Sequence, residues 1–424
     1  MTPLPQPPVR VAIACGGTGG HLFPGLAVAD QLVRRGCATT LLISPKEVDQ
    51  GAVRAVSGME IVTLPAVGLK RGGEIAFVRG FIRSYHAAAK LFKSRPPQAA
   101  LAMGGFTSAA PILAAKRAGA RTFLHESNTI PGRANRWLSR VVHCAFVGFP
   151  TAVGRLHNPN VTVTGTPVRP RFQARMAADC RAELGFDPAR PVLLVMGGSQ
   201  GASGINDLVL QSLPLLAGRA PEWQWFHLTG SGDAEKVSRA YAALRLRAVV
   251  HPFFAEMELA LGAATAAVSR AGASSLAELA AMRVPAVLVP YPAATDNHQF
   301  HNARAFEASG AARLLEQQSA TPETLVPLLM EVVEKPAVHE KMQTALAQWH
   351  APHAAEQIAE AMLAPAGAGA VEGCRADSQP AATPASRTAD TGNSPQSFRS
   401  PRASRLQLDS AGGRKVVLHR EGVA

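Results

Sequence analysis

Between residues 9 and 165, short runs of apolar and β-branched residues alternate with longer segments whose apolar positions recur every three or four residues. The runs "RVAIAC", "ATTLLIS", "EIVTLP", "QAALAMGG", "RTFLHES" and "HCAFVG" carry apolar residues at successive positions, as strands covered on both faces of a parallel sheet must. The periodic segments between them predict the covering helices. After "VTVTGTPVRPRF" the alternation begins again with "PVLLVMGGSQGA", "WQWFHLTG", "AVVHPFF", "AAVSRAG", "VPAVLVPY" and "AARLLE". The pattern therefore predicts a flexible start at 1–8, one Rossmann-like α/β domain over 9–166 and a second over 167–335. Amphipathic stretches within 336–363 follow the second sheet and are read as crossing back to the first domain. Residues 364–424 are rich in Ala, Pro, Ser and Gly with few large apolar residues, the composition of a disordered tail.

Both domains open with a strand followed by glycines. "CGGTGGHLFPG" at 15–25 leads into "GLAVADQLVRRG", a helical pattern ended by Gly36, with Pro24 expected in its first turn. Bare backbone beside a helix N-terminus suits a phosphate, because unpaired N–H groups point outward there. A dinucleotide fingerprint needs glycine where Leu22 stands, and the Gly-Lys-Ser/Thr of a P-loop is absent. A ligand-free Gly-rich connector is the plain alternative. "MGGSQGA" at 196–202 repeats the arrangement ahead of a helix expected from about Ser203. Open α/β sheets bind ligands at the carboxyl ends of such strands, so two facing sheets would enclose a cleft.

Composition narrows the function classes. The 424 residues are 47% hydrophobic and 17% charged, and no apolar run approaches the ~20 residues of a membrane span. The start "MTPLPQPPVR" lacks the apolar core of a secretory signal, which predicts a chain on the cytoplasmic side. Cysteines 15, 37, 144, 180 and 374 form no close pair and no metal-type spacing. The net charge of +13 fits nucleic acid, an anionic membrane surface or phosphate-bearing substrates. Residues 364–424 hold eight Lys/Arg and five Asp/Glu, so most of the excess sits on the predicted domains. No nucleic-acid recognition motif accompanies the charge, and nucleic acid is not an expected partner.

The motifs "GGTGGHLFPGLAVA", "HESN" at 125–128, "GTPVR" at 165–169, "GGSQGA", "SRAGASSLAEL" and "PYPAATDNHQFHNA" occur in an order and spacing that resembles the MurG family of N-acetylglucosaminyltransferases. The resemblance spans about residues 9–362. Ser127 and Thr166 stand where the family often has Gln and Asn. The resemblance implies a GT-B fold, two Rossmann-like domains with parallel sheets facing a cleft. It implies UDP-GlcNAc as donor and undecaprenyl-diphospho-MurNAc-pentapeptide (lipid I) as acceptor. Inverting transfer would then give lipid II at the cytoplasmic face of the inner membrane, without a metal or cofactor.

Residue by residue, the resemblance implies that Ser199, Gln200 and Gly201 offer donors to the leaving diphosphate, with Arg169 reaching the same group. Glu278 accepts from the ribose hydroxyls, Ala273, Ser274, Ser275, Leu276 and Ala277 line the nucleotide pocket, and Phe254 lies near the uracil. Asp296, His298 and above all Gln299 are expected at the GlcNAc hydroxyls, with helix capping the plain reading of Asp296. Asn128 completes the donor site from the first domain together with Thr18, Gly19 and Gly20, which present N–H groups and a hydroxyl to a diphosphate, a group the acceptor also carries. His21 is the expected base for the acceptor 4-hydroxyl, since imidazole titrates near 6.5, and Glu126 is its rival. A related GT-B glycolipid transferase, a UDP-GlcNAc 2-epimerase and a non-catalytic protein that binds diphosphate lipids are the alternatives.

A lipid acceptor requires a docking face. In "IAFVRGFIRSYHAAAKLFK" at 75–93, Ile75, Val78, Ile82, Tyr85, Ala89 and Phe92 form a stripe read as covering the sheet. Phe77 and Phe81, with Lys70, Arg71, Arg79 and Arg83, are then expected among anionic head groups. Arg133, Arg136, Trp137 and Arg140 are the alternative face.

Overall fold

The computed structural model describes residues 7–53, 57–65, 73–198 and 201–365. The expectations for Lys70, Arg71, Ser199, Gln200 and most of the tail lie outside those residues. Strands β1 (Arg10–Ala14), β2 (Ala38–Ile43), β3 (Glu60–Thr63), β4 (Ala99–Ala102), β5 (Arg121–Glu126), β6 (Cys144–Val147) and β7 (Val161–Val163) form one sheet in the order β3-β2-β1-β4-β5-β6-β7. Strands β8 (Val192–Met196), β9 (Gln224–Leu228), β10 (Ala248–His251), β11 (Ala266–Ser269), β12 (Ala286–Leu288) and β13 (Ala312–Leu314) form another, ordered β10-β9-β8-β11-β12-β13. Every pairing is parallel. Strand order reverses between β1 and β4 and between β8 and β11, and both glycine loops leave the sheets at these switch points.

The final helix, Ala354–Leu363, returns to the first sheet. Ala355, Ile358, Ala359 and Met362 share one buried cluster with Leu22, Leu26 and Ala29 of helix Gly19–Arg34. Arg35 ties its outer edge to Glu356 and Glu360 at 3.1 and 3.2 Å.

Helix Glu74–Ser94 is turned relative to the expected stripe. Ile75, Val78 and Ile82 are 72%, 52% and 48% exposed, whereas Gly80, Ser84, Ala88 and Phe92 are buried and Phe77 and Phe81 are half-buried. The buried line therefore runs through small residues at four-residue spacing, which let the helix lie close to its neighbour Ala109–Arg117. Phe77 and Phe81 face inward and line the interdomain cleft. Arg79 and Arg83 are exposed beside the three outward aliphatic residues.

Candidate active site

The first glycine loop ends earlier than the proline suggested. Helix Gly19–Arg34 begins before His21, so Pro24 sits inside it rather than in its first turn. A proline has no N–H for the carbonyl four residues back, here that of Gly20. The Ser274 hydroxyl, from the second domain, donates to this carbonyl at 3.0 Å. The first turn holds no acidic residue to compete with an anion.

His21 is enclosed by a turn that the sequence did not single out. Gly104 and Gly105, following β4, adopt φ of +104° and +75°, and a Cβ on either would lie 2.9 or 3.1 Å from the imidazole. The "MGG" after a strand was the available signal, for it repeats the other two glycine loops. Burial holds the His21 pKa below the ordinary value, against the opposing pull of Glu126. Its Nδ1 is buried without a hydrogen-bond partner.

Glu126, the rival base, is already engaged. One carboxylate oxygen accepts from the Asn128 backbone N–H at 2.8 Å and its Nδ2 at 3.0 Å. The other accepts from Gly132 N at 3.0 Å and Asn135 Nδ2 at 2.9 Å. Four donors make it the organiser of loop 126–135.

In the second domain, Ala273, Ser274, Ser275 and Glu278 line the cleft, as do Gly201, Phe254, His298 and Gln299. Leu276 does not: it is buried in that domain's core, because two residues along a helix from Ser274 point to the opposite side. Ala277 is also absent from the lining. Phe254 packs edge-on against Phe226 at 5.0 Å and stacks on His251 at 5.5 Å. Gln299 Oε1 accepts from Tyr291 N at 3.0 Å. Asp296 does not cap its helix; it sits at φ 51° and pairs with Arg136 of the first domain at 3.0 Å.

Arg169 and Glu278 meet one another. The guanidinium lies 4.3 Å over the Phe23 ring and 3.8 Å from the Glu278 carboxylate. Burial lifts the Glu278 pKa to about 7, partly offset by Arg169. Thr18, Gly19, Gly20 and Asn128 border the same cleft from the first domain, and its volume is about 2570 Å³. That exceeds the ~300–1,000 Å³ of an ordinary small-molecule pocket and leaves room for two substrates.

Known proteins share this construction. Residues 11–147 match the glycosyltransferase family 28 N-terminal domain and residues 192–358 its C-terminal domain. The UDP-N-acetylglucosamine–N-acetylmuramyl-(pentapeptide) pyrophosphoryl-undecaprenol N-acetylglucosamine transferase of Anaeromyxobacter sp. (strain K) is 35% identical, over 84% of this chain and 92% of its own. The same-named protein of Nitratidesulfovibrio vulgaris (strain Hildenborough) is 36% identical, over 84% of this chain and 97% of its own. The crystal structure of Acinetobacter baumannii MurG superposes with a TM-score of 0.66 at 27% identity, over 84% of this chain and 99% of that one.

The chain belongs to the MurG family. Its matched regions contain both glycine loops and the cleft-lining residues of each domain except Arg169, Pro170 and Arg171, which lie between them. A UDP-N-acetylglucosamine 2-epimerase from Listeria monocytogenes shares the fold, with a TM-score of 0.62 at 13% identity. Among the described residues, no helix is long and apolar enough to cross a membrane.

Proposed function

We infer that the chain transfers N-acetylglucosamine from UDP-GlcNAc to the 4-hydroxyl of MurNAc in undecaprenyl-diphospho-MurNAc-pentapeptide, with inversion at the anomeric carbon. The observation that carries this reading is the identity of 33–36% with transferases of that name along both domains that build the cleft. The donor lies on the second domain. Its diphosphate lies at the N-terminus of helix Ser203–Arg219, whose first-turn N–H groups and dipole favour the charge and whose first turn holds no acidic residue. Arg169 supplies the cation, Glu278 the ribose acceptor, Phe254 the uracil contact and Gln299 a sugar contact.

His21 performs the proton transfer. Neutral near pH 7 because of its burial, it takes the proton of the 4-hydroxyl while that oxygen bonds to the anomeric carbon. The bond to UDP breaks with its electron pair on the departing phosphate oxygen, where the helix N-terminus and Arg169 stabilise the charge. Thr18, Gly19 and Gly20 hold the acceptor's own diphosphate at the opposite glycine loop.

The acceptor is reached from a membrane surface. Ile75, Val78 and Ile82 enter the head-group region, flanked by Arg79, Arg83 and Lys90, which attract anionic lipid. Incubation of labelled UDP-GlcNAc with a short-chain lipid I analogue tests the reading. It predicts acceptor-dependent appearance of a labelled disaccharide lipid; conversion of the donor to its 2-epimer, with the acceptor untouched, would overturn it.

A further inference from the structure

Besides the packing of Phe149 against Phe306, four sets of polar or cationic side-chain contacts join the two domains among the described residues. Arg136–Asp296 is partly exposed, Ser274–Gly20 lies at the cleft wall, and Arg169 bridges Phe23 and Glu278. The fourth is fully buried. Asn302, on helix His298–Ala308 of the second domain, accepts on Oδ1 from Thr129 N at 3.0 Å and Thr129 Oγ1 at 2.9 Å. Its Nδ2 donates to Asn128 Oδ1 at 3.0 Å and to the Ala271 carbonyl at 3.1 Å. Both lone pairs and both N–H groups are used, so the amide fits in one orientation only.

We propose that Asn302 is the positioning residue that sets the spacing between donor and acceptor, by pinning loop 126–132 of the first domain to the helix that carries His298 and Gln299. This rests on the transfer reaction proposed above. The network has ends at both halves of the chemistry. Toward the acceptor it continues from Asn128 to Glu126 and Asn135, and the Glu126 charge acts on His21. Toward the donor it reaches Ala271, two residues before the cleft-lining Ala273, and Gln299 lies one helical turn ahead of Asn302. Segment 294–302 is also strained: Asp296 and Asn297 both hold φ of 51° without being glycine. A strained segment keeps that shape only where surrounding contacts fix it, and Asn302 with the Arg136–Asp296 pair are its contacts to the first domain.

Asn302→Asp tests the assignment with little change in shape. It replaces both N–H donors with a carboxylate oxygen aimed at Asn128 Oδ1 and the Ala271 carbonyl, which repel it. The expected result is a fall in kcat of about 10²-fold, the effect of an ~1 Å displacement of reacting groups, with the UDP-GlcNAc dissociation constant changed less than about threefold. Spin labels at exposed Arg155 and Arg239, one per domain, are expected to give a longer or broader distance distribution in the variant. Thr129→Val removes one donor from the partner loop and is expected to act in the same direction more weakly, with a combined variant no worse than Asn302→Asp alone. It carries the test if Asn302→Asp fails to fold. Unchanged turnover, an unchanged distance distribution, or donor affinity lost in step with kcat would overturn the proposal. Wild-type protein without transfer activity would refute the transferase reading instead, and the distance measurement would still judge the latch.

Discussion

Burial moves the pKa of His21 down and that of Glu278 up, because it favours the neutral form of each. Burial keeps His21 neutral, so the acidic limb of kcat/KM, which reports the free enzyme, is expected below the ~6.5 of a free histidine. His21→Ala is expected to lower kcat by about 10²–10⁴-fold with the donor Michaelis constant nearly unchanged, as single-turnover and steady-state rates would read. Glu278 is an acid whose folded pKa stands at about 7, above the unfolded value of 4.5. The native state therefore holds a proton that the unfolded chain releases, so this group lowers stability as pH rises from about 4.5 to about 7. For the donor the sign is reversed, since only the carboxylate offers a charge-assisted acceptor to ribose. UDP-GlcNAc is expected to bind about fivefold more tightly at about pH 8 than at about pH 6, and Glu278→Gln to abolish that difference in calorimetry. The types of the cleft residues were legible from motifs, but their engagements were not. The engagement of Glu126 was not legible because its four donors come from residues two to nine positions further along a folded loop.

Helix Glu74–Ser94 shows what hydrophobic periodicity misses. The sequence identified the element, its basic side and the inward Tyr85, Ala89 and Phe92, yet assigned Ile75, Val78 and Ile82 inward and Phe77 and Phe81 outward. Gly80, Ser84 and Ala88 bury as completely as larger residues but weigh little on any hydrophobic scale, and they mark the true inner face. The lipid-facing prediction therefore moves to Ile75, Val78 and Ile82. Replacing Ile75 and Ile82 by serine is expected to change stability by less than ~0.5 kcal/mol each and to reduce co-sedimentation with anionic vesicles, further weakened by salt. A marked fall in melting temperature would show these residues packed instead. The displaced start of helix Gly19–Arg34 has a similar origin: proline inside a helix is disfavoured by local rules, and a bond from the other domain compensates for the carbonyl it frees.

At the scale of the molecule, two sheets and their switch points were legible because buried parallel strands read as unbroken apolar runs. A return of the segment within 336–363 to the first domain was expected from its amphipathic pattern, but not its seat against helix Gly19–Arg34. Ile358→Ala, which empties part of its contact with helix Gly19–Arg34, is expected to cost about 2–5 kcal/mol of stability in denaturant titration. The interdomain amide of Asn302 carried no such signal, since an asparagine within a helix is ordinarily a solvated residue. Transfer of one sugar in one cleft is tested most directly by proton NMR of the purified product formed from UDP-GlcNAc and a lipid I analogue. The prediction is a β-linked GlcNAc on O4 of MurNAc, with one UDP released per linkage formed. An α-linkage, attachment to another hydroxyl, or UDP release without a new glycosidic bond would contradict it.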